Sequence, residues 1–179
     1  ENRQPSTDYI LIPRHSSENR KYIPMGFFVY LYIASDSCLF VANAELFHFG
    51  VLTSEMHMAW VRNVCGRIKS DFRYSNEIVY NNYPWPLNLT EKQIKSIEIC
   101  AQKVLDIRKE FPDSSLADLY DIIAMPPKLI KAHQELDKAV DAAYRSKPFE
   151  SEAKRMEFLF ELYEKYTADL FTKKKGKGK

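Results

Sequence analysis

Pro84 and Pro86 constrain the fold of this chain more than any other feature. They lie in the segment NNYPWP, residues 81–86, whose two prolines and two asparagines interrupt a regular helix or a central strand. Before this segment, apolar residues form short runs rich in aromatic and β-branched side chains. After it, they recur at helical spacing. The sequence therefore predicts an α+β fold, with a mixed β/α first half followed by a small helical bundle.

The first half is predicted to begin with strands. Three short runs have strand composition: residues 9–13, 27–33 and 39–41. From Thr53 the apolar spacing becomes helical, with Thr53 as the predicted cap and Gly66 as the predicted end of the helix. Residues 72–80 return to strand composition. This half, residues 1–87, is predicted to be one domain.

The second half is predicted to be helical almost throughout. Thr90 and Gln93 form a capping-box pattern before a long apolar stripe, and a short helix is predicted at Ser115. Pro127 suits the first turn of the next helix, and a last helix is predicted from about Glu152. Residues 88–172 are therefore predicted to be a second, helical domain. The lysine- and glycine-rich tail, residues 173–179, is predicted to be disordered.

Composition limits the class of protein. The 179 residues are 45% apolar, which is enough for a core, and no run of 18 apolar residues is present. The N-terminus does not resemble a signal peptide, so we expect a cytoplasmic protein with no membrane partner. The first residue is not Met, and we expect a piece of a longer protein. The net charge of +2 does not indicate a partner.

The distribution of glycine and cysteine argues against a cofactor or metal site. Gly26, Gly50 and Gly66 are the only glycines before the tail, so no glycine-rich turn for a nucleotide or S-adenosylmethionine is expected. The three cysteines show no CxxC spacing, which predicts free thiols rather than a disulfide framework or a zinc site. We predict no cofactor and no metal in this chain.

Candidate catalytic patterns are also weak. An amino-methyltransferase of nucleic acid uses a polar acceptor followed by Pro-Pro and an aromatic residue. The segment 125–128, MPPK, lacks the acceptor and the aromatic residue, and 82–85, NYPW, has the wrong order. No pair of histidines has metal-ligand spacing, and His57 and His133 are interpreted as hydrogen-bonded structural residues. No catalytic residue is predicted.

The segment GRIKSDFRYS, residues 66–75, carries the main candidate site. Lys69, Asp71 and Arg73 stand at i, i+2 and i+4 of a predicted strand, which places their side chains on one face. Lys and Arg donate hydrogen bonds to guanine, and Asp accepts one from cytosine N4, so this triplet is a candidate reader of DNA bases. The alternative interpretation is a solvated strand face with no ligand.

Basic and aromatic residues surround this triplet. Arg62 and Arg67 are candidates for neutralising DNA phosphates, and Tyr74 is a further candidate for a backbone contact. A regular strand would place Phe72, Tyr74 and Tyr80 on the opposite face, where the core is their first expected role.

Five linked motifs resemble a known family. They are SSENRKYIPMG (16–26), FHFGVLTSEMHMAW (47–60), GRIKSDFRYS (66–75), YNNYPWP (80–86), and LYD, MPP and KAHQELDKAVDAAY within 119–144. In this order they are similar to the C-terminal part of MmeI-like (type IIL) DNA methyltransferases. These are bacterial restriction-modification enzymes in which one long chain carries nuclease, methyltransferase and target recognition functions.

The resemblance implies a role for each region. Residues up to about 87 would be the later part of a target recognition domain, and the rest a helical C-terminal domain. The family's base-choosing residues lie in the segment that matches Lys69, Asp71 and Arg73. A further recognition contribution is implied for the loop at Ser35 and Ser37. The family methylates adenine N6 with S-adenosylmethionine, through motifs that would lie upstream of this segment.

We therefore expect a DNA sequence-recognition fragment that is non-catalytic alone. Its expected partners are double-stranded DNA and the missing methyltransferase domain of the same chain, and S-adenosylmethionine would bind only in the parent protein. The alternative is a helical protein-interaction or scaffold module with no direct DNA contact.

Overall fold

The first half of the chain forms two small sheets and two helices. The computed structural model describes residues 5–174, with side chains described as far as residue 168. The strands are β1 (Tyr9–Pro13), β2 (His15–Ser16), β3 (Gly26–Phe28), β4 (Cys38–Ala42), β5 (Gly66–Ile68) and β6 (Asp71–Arg73). Helices α1 (Leu46–Leu52) and α2 (Glu55–Val64) lie between β4 and β5.

The second half is helical. It contains α3 (Glu91–Lys109), α4 (Leu116–Leu119), α5 (Pro127–Tyr144) and α6 (Glu152–Lys174). A π-helical turn, Asn76–Tyr80, precedes the proline segment that joins the halves. The predicted fold class, mixed β/α followed by helices, is confirmed.

The chain passes from one sheet to the other through a single residue. The first sheet has the strand order β3–β1–β4 and the second β2–β6–β5, and all pairs are antiparallel. Arg14 alone separates β1 from β2. The side chains of Ile10 and Ile12 are buried, which fixes the first sheet to the core. The second sheet is therefore held close to the first.

Several predicted helix starts are confirmed. Thr90 and Gln93 form the predicted reciprocal capping box, and Ser115 caps α4 in the same way with Asp118. Pro127 occupies the first position of α5, where its missing N–H has no helical partner to lose.

Other boundaries differ from the prediction. The predicted cap at Thr53 is wrong, because the Ser54 side chain accepts the bond from the His57 N–H and starts α2. A preceding helix, α1, was not predicted. The strand predicted at 27–33 ends at Phe28, and the one predicted at 72–80 ends at Arg73 and gives way to the π-helical turn. The tail predicted to be disordered was residues 173–179, and this is wrong for its first two residues, because helix α6 continues to Lys174. Residues 175–179 lie outside the described residues.

The two halves share one hydrophobic core. Helix α1 packs on α3, and α2 packs on α6. Gly50 of α1 lies at the closest approach, since a Cβ there would stand 2.6 Å from Ile97 Cγ2 and 3.2 Å from Ala101 Cβ. At the junction Tyr83 is buried and Trp85 is half-buried against it. Leu87, which was expected in this seam, is 60% exposed.

A buried polar network also crosses between the halves. The Tyr22 hydroxyl donates to Asp137 Oδ2 at 2.7 Å, and the Glu55 backbone N–H donates to Asp137 Oδ1 at 2.7 Å. Arg108 of α3 donates to the Met25 carbonyl at 2.8 Å. Because each of these bonds joins the first half to the second, a fixed orientation of the halves satisfies all of them together.

The two central histidines are structural, as predicted. His57 Nε2 lies 2.9 Å from the Tyr74 hydroxyl, and His133 Nε2 lies 2.6 Å from the Tyr120 hydroxyl. Both rings are fully buried. Burial lowers the pKa of His57 to about 3 and lowers that of His133 well below its usual value. The three cysteines are free thiols, of which Cys65 is buried.

Gly50→Ala is expected to destabilise the protein by about 1 to 3 kcal/mol, because the added methyl overlaps Ile97 where the halves meet. Urea unfolding measures the change. Gly66→Ala is the matched control, since a Cβ there meets only the Arg73 carbonyl oxygen at 4.0 Å. Equal stability of the two variants would contradict the close approach of α1 and α3.

Stability is expected to fall as the pH drops below about 6.5. The unfolded chain then takes up protons at His57 and His133 while the folded chain does not, because burial holds the pKa of both folded imidazoles low. Burial raises the pKa of Asp137 from 3.8 to about 6, which favours the folded state on acidification over that window. On acidification the two histidines lower the stability and Asp137 raises it. The free energy of unfolding is therefore expected to fall near pH 5 by about 1.4 kcal/mol per pH unit.

Urea unfolding at pH 7.5, 5.5 and 4.5 measures this dependence. His57→Gln removes one titrating group and is expected to flatten the slope by about one proton. A stability that stays constant from pH 6.5 to 4.5 would contradict the assignment of neutral buried histidines.

Candidate nucleic-acid interface

The predicted base-reading triplet lies on a hairpin and not on one strand. Strands β5 and β6 pair with Ile68 opposite Asp71, so Lys69 and Ser70 form the two-residue turn. Lys69 has a φ of 55°, in the left-handed region. The expectation that Lys69 shares a strand face with Asp71 and Arg73 is therefore wrong. The turn carries no glycine, asparagine or proline, which is why its composition did not reveal it.

The hairpin still presents these side chains together. Asp71 and Arg73 are exposed on one face of β6, while Phe72 between them is buried in the core. Lys69 is exposed at the tip. We call residues 66–73 the reader hairpin. The buried aromatic ring anchors a hairpin whose tip projects a cationic donor and an anionic acceptor into solvent.

Arg14 connects the reader hairpin to the Ser35 and Ser37 loop. Its carbonyl accepts from the Tyr74 N–H at 2.8 Å, and its own N–H donates to the Ser37 carbonyl at 3.1 Å. Its Nε also donates to the Asp36 carbonyl at 3.2 Å. The two regions implicated separately by the sequence are thus held by one residue. Arg14 was not predicted, because its partners Ser37 and Tyr74 are distant in the sequence.

The loop that contains Ser35 and Ser37 is held by hydrogen bonds to its own hydroxyl groups. Ser35 Oγ and Ser37 Oγ lie 3.0 Å apart, and the Ser37 N–H donates to Ser35 Oγ at 3.3 Å. Both residues and Asp36 between them are exposed. The loop can therefore offer hydroxyl and carboxylate groups beside the second sheet.

Arg62 is engaged within the protein. Its guanidinium donates to Glu152 of α6 and to the Lys21 carbonyl, and lies 3.5 Å from Glu55 Oε1. Its side chain is 23% exposed. Arg62 thus joins the two halves through Glu152 and pairs with Glu55 of its own helix, and the geometry does not present it as the phosphate contact that the sequence suggested.

Tyr74 is not available for a DNA backbone contact. The residue is 2% exposed, and its hydroxyl is bonded to His57. Burial raises the pKa of the Tyr74 phenol well above its usual value, so it stays protonated. The expected backbone role of Tyr74 is wrong in this structure, and its first expected role, in the core, is the observed one.

The exposed surface around the reader hairpin mixes both signs of charge. It carries the residues Arg14, His15, Glu18, Asp36, Arg67, Lys69, Asp71 and Arg73. Such a set offers donors for guanine edges and acceptors for cytosine, and it lacks the uniform positive charge of a non-specific binder. Among residues 5–174, no group of three or more His, Cys, Asp or Glu side chains is placed to hold a metal, and no helix is long and apolar enough to cross a membrane.

Comparisons with known proteins identify both halves. A family model described as "MmeI, target recognition domain" matches residues 1–87, and one described as "MmeI, C-terminal domain" matches residues 89–171. "DNA methyltransferase A" of Bacillus subtilis (strain 168) is 43% identical over 163 residues, which are 90% of this chain and 18% of that protein.

A solved structure is similar across nearly the whole chain. It is titled as the type IIL restriction-modification enzyme MmeI in complex with DNA, and it aligns with a TM-score of 0.87 at 50% identity. The alignment covers 92% of this chain and 22% of that one. The chain thus spans about a fifth of the length of the relatives that it matches. It belongs to the MmeI family, with a target-recognition match in its first half and a C-terminal-domain match in its second.

Proposed function

We propose that this chain reads DNA sequence for an adenine-N6 methyltransferase carried elsewhere in the same protein. The observation that carries the proposal is the reader hairpin, whose tip exposes Lys69 and Asp71 while Phe72 fixes it to the core. A donor and an acceptor on a rigid support are what discrimination between base pairs in the major groove requires. The match to a target recognition domain supports the same role.

The base contacts and the phosphate contacts are assigned to different residues. Lys69 and Asp71 read bases, with Arg73 beside them on β6. Asp71 is the diagnostic residue, since a carboxylate repels phosphate but accepts a hydrogen bond from a base. Ser35 and Ser37 lie on a second loop that Arg14 holds beside the reader hairpin, and they supply a further base contact.

The remaining assignments concern the parent protein. Residues 1–87 act as the end of its target recognition domain, and 88–172 as a helical domain that supports it. The methyltransferase domain, which binds S-adenosylmethionine, lies outside this chain and is its partner on double-stranded DNA in the cytoplasm. The similarity to a protein named DNA methyltransferase A supports this assignment. A scaffold role without DNA contact is less favoured, because it leaves the charged tip of the reader hairpin unexplained.

The double variant Lys69→Glu with Asp71→Arg is expected to reverse the donor and acceptor pattern at the hairpin tip. Recognition at one position of the site is expected to change from one base pair to its flipped form, with each bidentate contact worth about 1 to 3 kcal/mol. Sequencing the adenine-methylated sites in cells that express the full-length variant measures this. An unchanged recognition sequence at full activity would show that both residues are ordinary surface charges.

Arg62→Ala is expected to lower the free energy of unfolding by about 1 to 2 kcal/mol, because Glu55 and Glu152 lose a shared cationic partner. The recognised sequence and the slope of DNA affinity against salt are expected to stay unchanged. Urea unfolding and DNA titration at several salt concentrations give the two measurements. A salt slope flatter by about one unit, with unchanged stability, would instead make Arg62 a phosphate contact.

A further inference from the structure

The guanidinium of Arg67 contacts four groups of the protein, although the side chain remains 36% exposed. Its carbon lies 4.1 Å above the Phe72 ring. Nη1 donates to the Ser70 carbonyl at 2.7 Å and to Glu18 Oε2 at 3.2 Å, and Nη2 donates to the Arg62 carbonyl at 3.4 Å. One planar group therefore contacts the turn of the reader hairpin, its buried anchor, the end of α2 and the neighbouring loop.

The bond to Ser70 bears directly on the turn. Ser70 is the second turn residue, and Lys69 before it holds a left-handed φ of 55° that a lysine adopts only at an energetic cost. The charged guanidinium of Arg67 donates to the Ser70 carbonyl and so stabilises this backbone geometry. Without that bond, fewer contacts would fix the direction of the Lys69 side chain.

Glu18 completes the arrangement from the other side. Its carboxylate accepts from Arg67, and its backbone N–H donates to Asp71 Oδ1 at 3.3 Å. Asp71 makes no other side-chain hydrogen bond within residues 5–174, so this contact sets the orientation of the carboxylate. One carboxylate oxygen of Asp71 is thereby bonded, while the second accepts no hydrogen bond from residues 5–174.

We propose that Arg67 and Glu18 form a brace that positions Lys69 and Asp71, so that Arg67 is a positioning residue for base recognition and not a phosphate contact. This inference rests on the proposed function of the reader hairpin. It replaces the phosphate role that the sequence suggested for Arg67, because the guanidinium already donates to Glu18, Ser70 and Arg62 within the protein.

Arg67→Lys separates the two roles. Lysine keeps the charge but lacks the planar fork that bonds several acceptors at once and stacks on an aromatic ring. A phosphate contact would survive this change, whereas the brace would not. The full-length protein is assayed by sequencing its adenine-methylated sites and by titrating cognate and single-mismatch DNA duplexes at several salt concentrations.

The brace predicts a loss of discrimination without a loss of charge. In Arg67→Lys, preference for the correct base pair at the position read by Lys69 and Asp71 is expected to fall about tenfold. The salt slope and the discrimination at other positions are expected to stay unchanged. Lys95→Ala, which removes an exposed charge on α3, is the control for a general electrostatic effect and is expected to change none of these readouts.

Glu18→Gln is a second variant that leaves Arg67 and Phe72 in place. It removes the ion pair but keeps an acceptor, and it is expected to reduce discrimination at the same position by about threefold. Thermal unfolding of each variant confirms that the protein remains folded. If Arg67→Lys fails to fold, the outcome for Glu18→Gln decides, and unchanged discrimination there overturns the brace.

The remaining outcomes separate the brace from the function on which it rests. Wild-type discrimination in Arg67→Lys, or a salt slope flatter by about one unit in Arg67→Ala with discrimination intact, overturns the brace alone. An unchanged recognition sequence in the Lys69→Glu, Asp71→Arg variant overturns the proposed function. A switch in that variant together with relaxed discrimination in Arg67→Lys supports both.

Discussion

The carboxylate of Asp137 is the interaction on which the arrangement of the two halves depends. It stands on α5 and accepts from the Tyr22 hydroxyl and from the backbone N–H of Glu55 at the start of α2. Burial of a carboxylate is costly unless both oxygens find donors, and here both donors come from the other half of the chain. The helical half thus fixes the position of the first turn of α2, and α2 leads directly into the reader hairpin.

This connection explains why the side chains of a small hairpin can be held in fixed positions. The hairpin itself is two strands of three residues, which would be marginal in isolation. It gains rigidity from β2 on its open edge, from Phe72 in the core and from the helix that precedes it. The functional groups therefore stand at the end of a chain of contacts that runs back through α2 to the helical half. The C-terminal helices thus fix the support of the reader hairpin without forming part of it.

Local signals in the sequence identified the elements with strong start and stop chemistry. The capping box at Thr90 and the proline at Pro127 depend on neighbours within one turn, so both were predictable. The turn at Lys69 was not, because its two residues, Lys69 and Ser70, are not the types that usually adopt a left-handed backbone in a tight turn. The partners of Arg62 could not be read from spacing, because Glu152 lies far along the chain, whereas strand alternation did predict the burial of Tyr74. The shared exposed face of Asp71 and Arg73, with Phe72 buried opposite, was predictable from the alternation of the strand, whereas the direction of Lys69 was not.

The left-handed backbone of Lys69 lowers the stability of this protein, whereas its ammonium group has the proposed role in selectivity. Glycine or asparagine would relieve a conformational cost of about 1 kcal/mol at this position. A laboratory selection for heat resistance, or a substitution towards the residues common in such turns, would therefore favour loss of the ammonium group. The position is also remote from the core, so its replacement leaves the fold intact. Under the proposed function, the more stable protein obtained in this way would discriminate less well between base pairs.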